Sequence, residues 1–487
     1  MRIVLSFFLV SALLAPASVS ARERYVDLEA CELSAAGGRI TASARCGTLT
    51  VAENPAAPEA RQLELAYAVV PARANRAAPD PVFFLAGGPG QSARETLPIM
   101  RHALREINRT RDLVFLDQRG TGGSNPLDCK MEERDELWLD PGYEQMAEQL
   151  DQCRAGWDAD LRFYTTGDAA RDLEALRAHH GFEQVNLIGG SYGTRMGQVY
   201  LRAYPDRVRS VILDGVVPTR LHLGAEHGLM LDRALGKLFA ACAEQPACRD
   251  TFPELQAAFG ELKARYPDPD QGPDLLVTHP RRGQAIDLRF TRATLAAALR
   301  FLAYSPQTQM MIPYLVHEAA ITEDPTRLAS QALIVTDQMA DMIAIGLNFA
   351  VGCSEDWPGW PEVPGQEDTL LGNSMKEVYD QVCADWPRGA LPEDFHQPFD
   401  ADVPVLILSG ELDPVTPPSY GDEAAAQFSN SQHLVARGRG HIVITQDCVG
   451  QIASRFVADA GFEQLDTDCL NRLGPEPFFI DLLGPAP

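Results

Sequence analysis

The stretch Gln184-Val185-Asn186-Leu187-Ile188-Gly189-Gly190-Ser191-Tyr192-Gly193-Thr194 constrains this chain more than any other. A short apolar run ends in two glycines and a serine. Met196, Val199, Tyr200 and Ala203 then recur at helical spacing, so the segment reads as strand, sharp turn, helix. In that context Gly189-x-Ser191-x-Gly193 has the form of a nucleophile elbow. The serine must take a strained backbone conformation to lift its hydroxyl clear of the sheet, and a side chain at either flanking glycine would collide with neighbouring backbone.

Other strands fit the same frame. Gly47 to Val51 and Leu63 to Val70 read as short β runs, the second with the period-two alternation of a half-buried strand. Pro81-Val82-Phe83-Phe84-Leu85 opens into Ala86-Gly87-Gly88-Pro89-Gly90, and Leu113-Val114-Phe115-Leu116 opens into Asp117-Gln118-Arg119-Gly120-Thr121-Gly122-Gly123-Ser124. Both are buried strands feeding glycine-rich loops. Gly88-x-Gly90-x-x-Ala93 mimics a dinucleotide fingerprint, but Pro89 interrupts the amides that a pyrophosphate would need. Thr165 and Thr166 cap a helix carrying Ala169, Leu173 and Leu176 and stopped by Gly181, and Val208 to Gly215 is the next buried strand. Strands alternating with helices predict an α/β fold with a mostly parallel sheet flanked by helices.

From about residue 219 to 400 the pattern turns helical, with runs such as Thr294 to Leu302 and Ser330 to Ala350 and little β signal. We read residues 22–218 and 401–487 as one core and 219–400 as a helical cap inserted over the strand ends. Pro404 to Gly410 returns to the sheet, and Gln432 to Val435 is the last short strand.

A serine hydroxyl needs an imidazole to take its proton and a carboxylate to hold that imidazole in the right tautomer. Asp413 follows the returning strand in Gly410-Glu411-Leu412-Asp413-Pro414, and His441 follows the last strand in Gly438-Arg439-Gly440-His441. The order Ser191, Asp413, His441 is that of the α/β-hydrolase fold. Glu411 is the reserve acid. A tetrahedral oxyanion also needs two fixed N–H donors, and the Tyr192 and Gly88 amides are the candidates.

Together, Gly87-Gly88-Pro89-Gly90, Asp117-Gln118-Arg119-Gly120-Thr121-Gly122-x-Ser124, Gly189-Gly190-Ser191-Tyr192-Gly193-Thr194, Asp413 and His441 resemble the exported proline iminopeptidase and tripeptidyl-aminopeptidase branch of the α/β-hydrolases. The resemblance implies removal of residues from the free amino end of peptides, with a helical cap limiting access and the Gly88 and Tyr192 amides forming the oxyanion hole. A carboxylic-ester hydrolase would use the same triad. An aminopeptidase must hold a protonated amine, and in Gly352-Cys353-Ser354-Glu355-Asp356-Trp357 we expect Glu355 to be its carboxylate partner.

The first residues have a charged start at Arg2, an apolar stretch from Ile3 to Val10 and a small-residue end at Val19-Ser20-Ala21, which predicts an export signal over residues 1–21. Pro16 keeps the apolar run shorter than a bilayer span, so no membrane association is expected once the signal is removed. Ten cysteines in an exported chain predict five disulfides between sequence neighbours. No Cys/His cluster of zinc spacing is present in the sequence, and the chemistry calls for no metal or cofactor. A net charge of −25 repels phosphate backbones and argues against nucleic-acid partners.

Overall fold

The computed structural model describes residues 25–35, 38–129, 143–268, 271–279 and 283–486; the expected export signal lies outside them. Among the described residues no helix is long and apolar enough to cross a membrane. The strands are β1 (Glu29–Ser34), β2 (Thr41–Ala52), β3 (Gln62–Val70), β4 (Val82–Leu85), β5 (Leu113–Leu116), β6 (Val185–Gly190), β7 (Val208–Asp214), β8 (Asp274–Thr278), β9 (Ala285–Arg289), β10 (Val405–Gly410) and β11 (Ser431–Ala436), with a short pair at Phe479–Asp481 and Gly484–Pro485 near the carboxyl end. Nine of them form one sheet in the order β1-β2-β3-β5-β4-β6-β7-β10-β11. The pairs from β5 to β11 are parallel, and β1, β2 and β3 extend the sheet antiparallel.

A parallel strand buried on both faces needs apolar side chains at every position. In β4, Phe83 and Leu85 enter one core while Val82 and Phe84 enter the other. The first core takes in Leu173 and Leu176 from helix Thr166–His179 and Met196 and Leu201 from helix Tyr192–Ala203. The second is closed by Leu97 and Met100 from helix Ala93–Ala103 and Ile452 and Phe456 from helix Asp447–Asp459. Strand order reverses at β4: β5 lies on one side of it and β6 on the other. A crevice opens outside the carboxyl ends of the strands at such a switch point, and here Leu85 pairs with Gly189 at its floor.

Between β7 and β10 the chain is mostly helical. Leu235, Leu238, Leu299, Leu302, Leu315 and Leu333 build a separate hydrophobic cluster. The hairpin of β8 and β9 belongs to this region and was not legible in the sequence, because alternate residues such as Asp274, Leu276 and Asp287 keep its short strands half in solvent. Helices Ile345–Glu355 and Ser374–Cys383 instead pack on the sheet, with Leu347, Val351 and Val382 in its core and the Cys353–Cys383 bridge between them.

The helix expected from Ser330 to Ala350 is two helices, Thr326–Ala340 and Ile345–Glu355. It breaks where the chain docks on the glycine-rich loop after β4. Ala344 N donates to Gly90 O at 2.9 Å, Ile343 bridges to Gln91, and Asn348 Nδ2 donates to Pro89 O at 3.0 Å. Those partners outweigh the helical hydrogen bonds that local propensity favours. The five expected disulfides are present, Cys31–Cys46, Cys129–Cys153, Cys242–Cys248, Cys353–Cys383 and Cys448–Cys469.

Candidate active site

Ser191 sits at φ 55°, ψ −125°, between the last residue of β6 and the first turn of helix Tyr192–Ala203. An L-residue rarely holds this conformation without support from its surroundings. Here Ser191 N donates to Asp214 O at 2.9 Å, and Thr194 Oγ1 donates to Ser191 O at 2.6 Å. The flanking glycines are required by close approach. A Cβ at Gly193 would strike the Leu85 carbonyl, and one at Gly189 would strike the Gly193 carbonyl.

The turn after β10 places Asp413, 1 % exposed, against the loop after β11. Its Oδ1 accepts from Val415 N at 2.9 Å and Thr416 N at 2.8 Å; its Oδ2 accepts from Thr416 Oγ1 at 2.8 Å and lies 2.7 Å from His441 Nδ1. The carboxylate is therefore fixed by three donors besides the imidazole. The reserve acid Glu411 is turned elsewhere and accepts from Gly438 N at 2.8 Å. Burial works against a charged His441, but the neighbouring Asp413 carboxylate outweighs it and raises the imidazole above its ordinary value.

Several residues that support this pair were not singled out by their sequence pattern. His441 N donates to Tyr304 O at 2.8 Å, and the Tyr304 ring meets the imidazole edge-on at 5.3 Å. Asp214, at the end of β7, accepts Val443 N at 3.0 Å and Ile444 N at 2.8 Å, which draws the loop after His441 inward and leaves Ile442 at φ 66°. Burial pushes Asp214 up to about 6, against the pull of those two amides. Gly215, at φ 66°, lies beneath the imidazole: a Cβ there would come within 3.0 Å of His441 Cε1. In the sequence, Asp214-Gly215 is visible only as the end of a strand.

The loop after β4 lies over Ser191. A Cβ at Gly87 would fall 3.1 Å from Ser191 Cβ. Gly87 N already donates to Gln91 Oε1 at 3.2 Å, whereas Gly88 holds φ 107°, a conformation suited to glycine. The Tyr192 amide is the first of the helix that follows Ser191, where N–H groups have no intrahelical acceptor.

Glu355 is enclosed rather than presented to an open pocket, with a side chain 0 % exposed. Its Oε1 accepts from Thr166 N at 2.6 Å, and its Oε2 accepts from Thr166 Oγ1 at 2.8 Å and lies 3.6 Å from Arg195 Nη1. Thr166 Oγ1 in turn lies 2.7 Å from the Tyr192 hydroxyl, so the carboxylate sits at the far end of the Tyr192 side chain. With both oxygens occupied, Glu355 ties helix Ile345–Glu355 to the core, and the expectation that it receives a substrate amine does not fit these surroundings. Burial pushes it up to about 7 despite Arg195. Between the ordinary glutamate value and about 7 the folded chain therefore binds a proton that the unfolded chain has released, so this group lowers stability as pH rises through that window. Denaturant midpoints of Glu355→Gln are expected to vary less with pH across that window than those of the parent; parallel profiles would refute the assignment.

The model of the alpha/beta hydrolase fold family matches residues 80–447. The tripeptidyl aminopeptidase of Streptomyces coelicolor is 24 % identical over 95 % of this chain and 89 % of its own length. Serine protease Hip1 of Mycobacterium tuberculosis is 24 % identical over 89 % of this chain and 88 % of its own. A probable proline iminopeptidase of Streptomyces coelicolor is 31 % identical over 39 % of this chain and 49 % of its own.

Proposed function

The chain belongs to the alpha/beta hydrolase fold family, is serine-peptidase-like by its relatives, and on that premise we propose that it is an exported aminopeptidase working through an acyl-enzyme. The observation that carries the reading is the 2.7 Å contact of Asp413 with His441 Nδ1, at strand ends beside an elbow that strains Ser191 to φ 55°. Because Asp413 accepts a hydrogen bond from Nδ1–H, Nε2 is the basic nitrogen. Ser191 Oγ attacks the carbonyl carbon of the scissile amide while His441 Nε2 accepts its proton. The carbonyl oxygen, now negative, is received by the Gly88 and Tyr192 amides. The tetrahedral intermediate expels the leaving amine, which takes the proton from His441. A water then repeats the sequence on the ester, returning Ser191 and releasing the acid.

The choice of a free amino end is supported by the tripeptidyl aminopeptidase, whose likeness runs along nearly the whole chain. The five disulfides suit an oxidising compartment outside the cytosol. The test is cleavage of prolyl and alanyl p-nitroanilides, each with a free and an acetylated amino end, beside a p-nitrophenyl ester. Hydrolysis confined to free-amine anilides is expected. Equal cleavage of blocked substrates, or turnover of the ester alone, would leave a carboxylic-ester hydrolase on the same triad.

A pH profile follows from His441. The base must be neutral to accept the proton, and Asp413 raises its value above the ordinary histidine one. The acidic limb of kcat/KM should therefore fall above about 6.5, with activity gained as pH rises through it. An acidic limb in the range of an unperturbed carboxylate would assign the base elsewhere.

A further inference from the structure

Buried arginines in this protein are matched with acids. Arg111 faces Asp80 at 2.8 Å, Arg119 faces Asp172 at 2.7 Å, and Arg195 faces Asp356 at 2.8 Å. Arg300, half-buried near the end of helix Arg292–Leu302, differs from them. Although acids outnumber bases 67 to 42 in the chain, no carboxylate is paired with Arg300 among the described residues. Its Nη2 donates to His227 Nδ1 at 3.2 Å and to the Tyr304 hydroxyl at 3.5 Å, and Nη1 lies 3.9 Å from Met375 Sδ. Its Nε is buried without a hydrogen-bond partner. The guanidinium also packs over the Phe301 ring at 5.7 Å.

This cation stands beside the reacting groups. Tyr304, which it touches, is the residue whose ring and carbonyl hold His441. Because Arg300 can only donate, His227 Nδ1 must accept, which places the His227 proton on Nε2. Burial, then the charges of Arg300 and His441, keep His227 well below its ordinary value, so it cannot share the positive charge. A guanidinium partly withdrawn from water without an acid carries a cost, which is relieved when a ligand brings the anion.

Resting on the aminopeptidase reading above, we propose that Arg300 receives a carboxylate of the bound peptide, so that the preferred substrates are short peptides bearing an anionic group close to the scissile bond. The geometry fits a planar fork whose terminal nitrogens rest on uncharged partners, His227 Nδ1, the Tyr304 hydroxyl and Met375 Sδ. Two sources share this chemistry, the free carboxyl end of a very short peptide and an acidic side chain.

The experiment compares kcat/KM for Ala-Ala-Ala, for its C-terminal amide, and for Ala-Asp-Ala amide, with p-nitrophenyl acetate as a neutral control. In the parent, one of the anionic peptides is expected to exceed the neutral amide by about tenfold, and Arg300→Gln should bring the two within about threefold while ester turnover persists. Preference for the free acid identifies the chain end; preference for the Asp peptide identifies the side chain. If Arg300→Gln also loses the ester, Arg300→Lys decides, because a point charge in place of the fork should reduce the preference only in part. Equal use of all three peptides by the parent, or a preference unchanged in either variant, overturns this assignment and leaves the aminopeptidase reading standing. Turnover of the ester with none of the peptides overturns both.

Discussion

Ser191→Ala is expected to lower kcat by about 10^6, with the fold retained. The elbow's strain belongs to the backbone at φ 55°, and the hydrogen bonds that hold it, Ser191 N to Asp214 O and Thr194 Oγ1 to Ser191 O, do not involve the lost hydroxyl. Alanine therefore inherits the conformation and loses only the nucleophile. The check is turnover of an alanyl p-nitroanilide and of a p-nitrophenyl ester, together with labelling by a fluorophosphonate probe. Residual activity within tenfold of the parent, or labelling that persists in Ser191→Ala, would move the nucleophile to another residue. A small remainder above the uncatalysed rate is expected from the two oxyanion donors and from binding.

The largest effect on stability is expected at Arg119, in the glycine-rich loop after β5. The side chain is 2 % exposed and is held by four hydrogen bonds: two nitrogens bind Asp172 at 2.7 Å each, and a third reaches Glu53 O at 3.0 Å and Phe163 O at 2.8 Å. Arg119→Met strands Asp172, whose carboxyl burial already pushes up against the pull of Arg119. The loss should be about 3–5 kcal/mol in urea unfolding with the disulfides intact. Arg119→Met combined with Asp172→Leu should recover most of it, because both charges then leave the interior together. A double variant no more stable than the single one would mean that the bonds to Glu53 and Phe163, rather than the ion pair, carry the energy.

Both predictions rest on residues that the sequence made visible, for a common physical reason. Val82 to Leu85 and Leu113 to Leu116 stand out because a strand covered on both faces admits only apolar side chains, and the polar loops after them are then conspicuous. Asp413 is legible because it follows such a strand, and His441 because it follows the short run at Gln432 to Val435, both at the end where the crevice opens. What remained hidden depends on partners distant in the chain. Glu355 reads as the partner of a substrate amine until its contact with Thr166, 189 residues away, is known. The turn between Ala340 and Ile345 cannot be seen in a helical pattern, since its cause is the carbonyl of Gly90. Asp214 and Gly215 shape the histidine loop from the end of a strand, and local pattern carries no sign of that loop. Arg300 is distinguished by the acid it lacks, which no spacing reveals.

The disulfides also bear on how the chain reaches this state. Each bridge joins one cysteine to the next in sequence, over separations of 15, 24, 6, 30 and 21 residues. A polypeptide delivered amino end first thus presents every thiol's correct mate before any later competitor has arrived. Oxidation can keep pace with delivery, closing one short ring after another. A chain released whole and reduced must sort ten thiols at once, so this protein is better suited to being oxidised as it emerges than to being refolded afterwards.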